Sequence, residues 1–129
     1  MNKVSSENCD VKLVASGDNL VIRVKMDGKK VNAMLVPGAA VSVIDEETLQ
    51  YMQVDYQTKP PEKQIFDASG NKMNVVGVAN FKVEIPGTKC CCDQTFYIIR
   101  GNNNSKVLLG RDFMASLGVV SFDFANNKV

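Results

Sequence analysis

The chain has 129 residues, a formal net charge of +1, 22% charged residues and 45% hydrophobic ones. That length suits one domain able to bury about two thirds of its unfolded surface in a single core, and the near-balanced charge solicits no polyanion, so nucleic acid is not expected as a ligand of this domain. Histidine is absent, which excludes Ser-His and Cys-His nucleophilic catalysis and the usual Cys/His zinc site and leaves carboxylates as the acid-base groups.

In chain order, the opening MNKVSSENCDVK lacks the apolar core of a secretory leader, and residues 1–10 read as a flexible extension of a single domain spanning 1–129. No run reaches the ~18 apolar residues of a membrane span, so no membrane contact and a cytoplasmic location are expected. Leu20, Ile22, Val24 and Met26 alternate with Val21, Arg23 and Lys25, the pattern of a strand with one buried face. Asp27 and Gly28 suit a two-residue type I′ hairpin turn, whose central positions both need positive φ. A second strand then enters the stretch MLVPGAAVSVI (34–44), a tight loop of small residues between two apolar strands.

Asp45 is placed to cap a short helix, EETLQYM, with Leu49 and Met52 on one face and glutamates at the positive end of the dipole. TKPPEK is a loop by its prolines. The segment 63–85 reads as two strands around ASGN, with Ala79, Phe81, Val83 and Ile85 alternating along the second. A turn at PGTK leads into the strand CCCDQTFYII, where Cys90 and Cys92 share one face and Cys91 points to the other. At most two thiolates converge there, so small strand residues rather than a metal centre are expected, and adjacent cysteines are badly placed to pair with one another. Reduced thiols fit a reducing compartment. RGNNNS is a polar loop. KVLLG is a short strand, RDFMASLG a short helix with Phe113 and Leu117 one turn apart and Gly118 as its stop, and VVSFDF a closing strand. The architecture is mainly β, with two short helices and a closed or sandwiched sheet.

MLVPGAAVSVI, followed further along by VLLGRDFMASLGVVSFDF, resembles the retropepsin-like aspartic protease domains of retroviruses, long-terminal-repeat retrotransposons and their domesticated relatives. The resemblance runs from about residue 19 to 129 and implies an acid-protease barrel with one flap hairpin per subunit, here around Ser69 and Gly70. It also implies a homodimer, with each subunit supplying one aspartate from an Asp-Thr-Gly-Ala loop. Aligned without a gap, Gly38 and Ala39 match that loop, Pro37 stands at its threonine and Val36 at its aspartate.

The resemblance therefore implies degenerate catalytic positions at Val36, Pro37 and Gly38, no catalytic residue, no cofactor and no metal. The expected role is an inactive homodimerisation module that binds an extended peptide or a protein, with Val36, Pro37, Gly38 and Ala39 on the groove floor and Ala68, Ser69, Gly70 and Asn71 from the flap. Two alternatives stand beside it: an active aspartic endopeptidase using a non-standard acid, or a scaffold segment of a larger retrotransposon-derived protein. Among replacement acids, Asp45 reads as a helix cap, Asp67 as part of the flap hairpin, and Asp112 as a partner of Arg111 or of solvent.

Overall fold

Apolar alternation in the first hairpin builds one wall of a barrel. In the computed structural model, which describes residues 20–67, 69–101 and 107–117, β1 (Val21–Met26) buries Ile22, Val24 and Met26, and β2 (Lys29–Leu35) buries Ala33 and Leu35 on the same side. Between them Asp27 and Gly28 take φ values of 48° and 85°, as a type I′ turn requires. The turn is also tied to the next wall: the Asp27 N–H donates to the Lys82 carbonyl and the Lys82 N–H to Asp27 Oδ1, both at 2.9 Å.

The remaining elements are β3 (Ser42–Asp45), α1 (Glu46–Met52), β4 (Val75–Glu84), β5 (Cys91–Ile99), β6 (Val107–Leu109) and α2 (Arg111–Leu117). The strands close into a barrel in the order β1-β2-β6-β3-β5-β4. Its interior holds Phe81, Phe96, Ile44, Ile98, Leu109 and Phe113, with the Phe81 and Phe96 rings edge to face at 5.9 Å. Leu49 and Met52 of α1 and Phe113 and Leu117 of α2 pack on this core, as their one-turn spacing predicts.

Two pairings are parallel, β2 with β6 and β3 with β5. Because β2 and β6 run side by side (Met34 opposite Leu108, Leu35 opposite Leu109) and β3 runs antiparallel to β6, the end of β2, the start of β3 and the end of β6 meet at one end of the barrel. The loop 36–41 is thereby held against the start of α2.

A second, smaller core lies on the outer face. Val43, Ile65, Tyr97 and Ile99 are buried there, with Val41, Met73, Val75, Val78 and Leu108 packed around them. Alternation explains it: Val43, Leu108 and Tyr97 are the outward neighbours of Ile44, Leu109 and Phe96.

The segment around ASGN departs from the sequence expectation. Its first arm is not a strand; Phe66 and Lys72 form an isolated bridge, and β4 starts only at Val75. The hairpin holds together through Met73 N–H to the Ile65 carbonyl (2.9 Å) and Asp67 N–H to the Asn71 carbonyl (2.8 Å), while Phe66 is 57% exposed. An arm that buries Ile65 alone has too little apolar surface to sustain a longer ladder. The extension 1–10, Ala68, most of RGNNNS, Gly118 and VVSFDF lie outside the described residues.

Candidate functional site

The loop after β2 is anchored from both sides. Val36 N–H donates to the Leu109 carbonyl (2.9 Å), Ala39 N–H to the Val36 carbonyl (3.0 Å), and Arg111 N–H to the Ala39 carbonyl (2.8 Å). Val36 and Ala39 are half-buried, whereas Pro37 and Gly38 face solvent. The small residues suggest that the loop's glycine serves a tight turn, but Gly38 has no positive φ and a Cβ there would meet nothing within 4 Å. The close approach falls instead on Gly110, where a Cβ would sit 2.5 Å from the Val41 carbonyl oxygen and 2.7 Å from that of Ala39. Glycine at 110 is what lets the loop lie against α2.

A polar network fixes the far end of the loop. Ser42 is fully buried; its hydroxyl donates to Asp112 Oδ1 (2.8 Å) and accepts from the Gly110 N–H (3.1 Å), and its N–H donates to Asp112 Oδ2 (3.2 Å). Gln94, 5% exposed, donates to the same Oδ2 at 2.8 Å, and the Phe113 N–H to Oδ1 at 2.8 Å. The expectation that Asp112 pairs with Arg111 or solvent is corrected: adjacent residues of a helix point in different directions, and the carboxylate turns inward to strands β3 and β5. Sequence reading missed Ser42, Gln94 and Gly110, since 70 residues separate Ser42 from Asp112.

The two other candidate acids, Asp45 and Asp67, also take structural roles. Asp45 caps α1, its Oδ1 accepting from the Glu47 N–H at 2.8 Å. Asp67 Oδ1 accepts from the N–H groups of Ser69 and Asn71, both at 2.9 Å, closing the hairpin tip. Glu46 receives a two-pronged contact from Arg100 (2.8 and 3.0 Å), which holds its carboxyl below the ordinary value of 4.5. At the tip Ser69, Gly70 and Asn71 are exposed. The base of the hairpin, Ile65 and Met73, packs on the second core beside Val41, Val43 and Leu108, so an apolar patch missed in the sequence joins the hairpin to the loop strands. Cys90, just ahead of β5, is buried, Cys91 exposed and Cys92 half-buried, where burial pushes the Cys92 thiol up. Among the described residues no His, Cys, Asp or Glu group is arranged to hold a metal ion, and no helix is long and apolar enough to cross a membrane.

A closed barrel of six strands, a loop that joins β2 to β3 across the end of β6 and a hairpin packed beside the loop strands fit a retroviral-type protease subunit, and comparison with known proteins agrees. The model of the family described as "gag-polyprotein putative aspartyl protease" matches residues 22–116. The chain belongs to this gag-type aspartyl protease family. Among solved structures, the EIAV protease in complex with the inhibitor HBY-793 superposes with a TM-score of 0.66 at 14% identity, over 84% of this chain and 100% of that one. At that identity the likeness speaks for the retropepsin-like fold. Among curated proteins none matches.

Proposed function

We propose that this gag-type domain is catalytically inactive and serves as a homodimerisation module whose groove holds an extended peptide or protein segment. The observation that carries the reading is Val36 at the head of the anchored loop, at the position where the family resemblance places the aspartate. In that chemistry two carboxylates, one per subunit, share a proton, activate a water and protonate the leaving amine. A valine side chain has no ionisable group, and Pro37 offers neither hydroxyl nor N–H beside it. The structural roles of Asp45 in a helix cap, Asp67 in the hairpin turn and Asp112 in the network with Ser42 and Gln94 support the same reading.

The solvent-facing Pro37 and Gly38 support pairing through the loop. Glycine at 38 answers no need within one subunit, and a close neighbour across a twofold axis would supply one. Replacing paired buried carboxylates by apolar groups is often stabilising, by ~1–4 kcal/mol in buried ion-pair analogues, so the interface can persist without the chemistry. Sedimentation velocity over a concentration series, run beside a cleavage assay on an unfolded substrate, tests the proposal. A twofold mass without cleavage is expected. A single-subunit mass up to high micromolar concentration would remove the dimer, and cleavage at neutral or acid pH would remove the inactivity.

A further inference from the structure

A cavity away from the loop at Val36 lies between the segment leading to the hairpin and strands β4 and β5. It encloses about 440 Å³ and is bordered by Gln57, Lys59 and Glu62 on one side and by Asn80, Thr95 and Tyr97 on the other. Lys59 and Val78 form a two-way bridge, Lys59 N–H to the Val78 carbonyl at 2.8 Å and Val78 N–H to the Lys59 carbonyl at 2.9 Å. Gly77 permits this crossing, since a Cβ there would meet Thr58 Cβ at 2.9 Å.

In an antiparallel strand every second residue directs its N–H and C=O to the same side. Val78 directs both to Lys59 and Lys82 directs both to Asp27, so Asn80, midway between them, directs its own to that side as well, away from β5. Continuing the antiparallel register from the Lys59–Val78 bridge would bring Gln57 opposite Asn80. No hydrogen bond joins these two residues, although Tyr56, opposite Phe81 in the same register, lies against it with ring centroids 5.9 Å apart. Asn80 lines the cavity, and among the described residues neither its main-chain N–H nor its C=O is bonded to the segment 57–62.

We propose that this cavity is a binding site for an extended, uncharged peptide segment of a partner protein, which completes the β-bridge that Gln57 leaves unmade. One donor beside one acceptor on a strand edge is the complement of a peptide unit. The volume lies in the range of sites that take small ligands or short segments. Lys59 and Glu62 carry opposite charges on the same rim, which gives no preference for an anionic or cationic occupant. The site is independent of the groove at Val36.

Titration of ¹⁵N-labelled protein with the blocked tetrapeptide acetyl-Val-Thr-Val-Thr-amide tests it. Saturable shifts centred on Asn80 and on the 57–62 segment are expected in the millimolar range. The same peptide with every backbone nitrogen methylated is expected to bind at least tenfold more weakly, and so is the unmodified peptide toward Thr95→Tyr, an exposed substitution of high strand propensity that fills the cavity. Absence of saturable shifts, shifts confined to residues 36–39, or equal binding of the methylated peptide would overturn the proposal.

Discussion

Removing the Asp112 carboxylate tests whether the buried network holds the loop. In Asp112→Ala the Ser42 hydroxyl and N–H both lose their acceptor inside a residue with no solvent exposure, while Gln94 keeps its bond to the Thr95 carbonyl and the Phe113 N–H lies in the first turn of a helix. Each buried donor left unsatisfied costs about 1–3 kcal/mol. Allowing for relaxation of the Ser42 hydroxyl toward other acceptors, the loss is about 2–4 kcal/mol. Urea unfolding at one fixed protein concentration reads it, since pairing of subunits would otherwise shift the midpoint by mass action. Adding Ser42→Ala to Asp112→Ala isolates the pair: with the orphaned hydroxyl gone, the loss in the double variant is expected to be smaller than the sum of the two single losses by about 1 kcal/mol or more. A loss below about 0.5 kcal/mol for Asp112→Ala, in the range of ordinary surface substitutions, would refute the reasoning.

Three further outcomes follow from the same geometry. Gly110→Ala is expected to cost about 3 kcal/mol or more, or to prevent folding, because its Cβ would meet two backbone carbonyl oxygens; Gly38→Ala, which meets nothing within one subunit, is expected to leave monomer stability within about 1 kcal/mol, both read by urea unfolding of monomeric protein. Glu46 is held below its ordinary value of 4.5 by Arg100, so its stabilising contribution is full above 4.5 and is lost as the pH falls through the lower folded value; the melting-temperature gap between wild type and Glu46→Gln should be present at pH 7 and close below pH 4.5. Timed alkylation with iodoacetamide, mapped by mass spectrometry, should label the exposed Cys91 before the half-buried Cys92, whose raised thiol keeps it protonated and slow.

What the sequence disclosed was local. Alternation marks β1 and the later part of β4, the Asp27–Gly28 turn follows from backbone sterics, and the Asp45 cap follows from a short polar side chain ahead of a helix. Each depends on neighbours within a few residues. The parallel pairings of β2 with β6 and β3 with β5 join distant segments with no local signature, and they decide what lies beside the loop. Asp112 was misread for that reason: Arg111 is its neighbour in the chain, but Ser42 and Gln94 are its neighbours in space. The glycine in the loop drew attention as a tight position, whereas the tight contact belongs to Gly110, which in sequence is only a glycine after a short strand. The hairpin at 65–73 was legible as a turn but not as a ladder, because apolar spacing shows which residues face inward, and not how many backbone bonds survive in an exposed arm.

The central claim is that Val36 leaves the loop without a proton-carrying group, and a comparison of purified wild type with the double variant Val36→Asp, Pro37→Thr on an unfolded protein substrate measures it most directly. Followed by mass spectrometry from pH 4 to 7, the wild type is expected to give no cleavage products above the no-protein control, and the double variant to give products whose rate rises more than linearly with subunit concentration, as a site shared by two subunits requires. Cleavage by the wild type that scales with its concentration and persists through repurification would contradict the account.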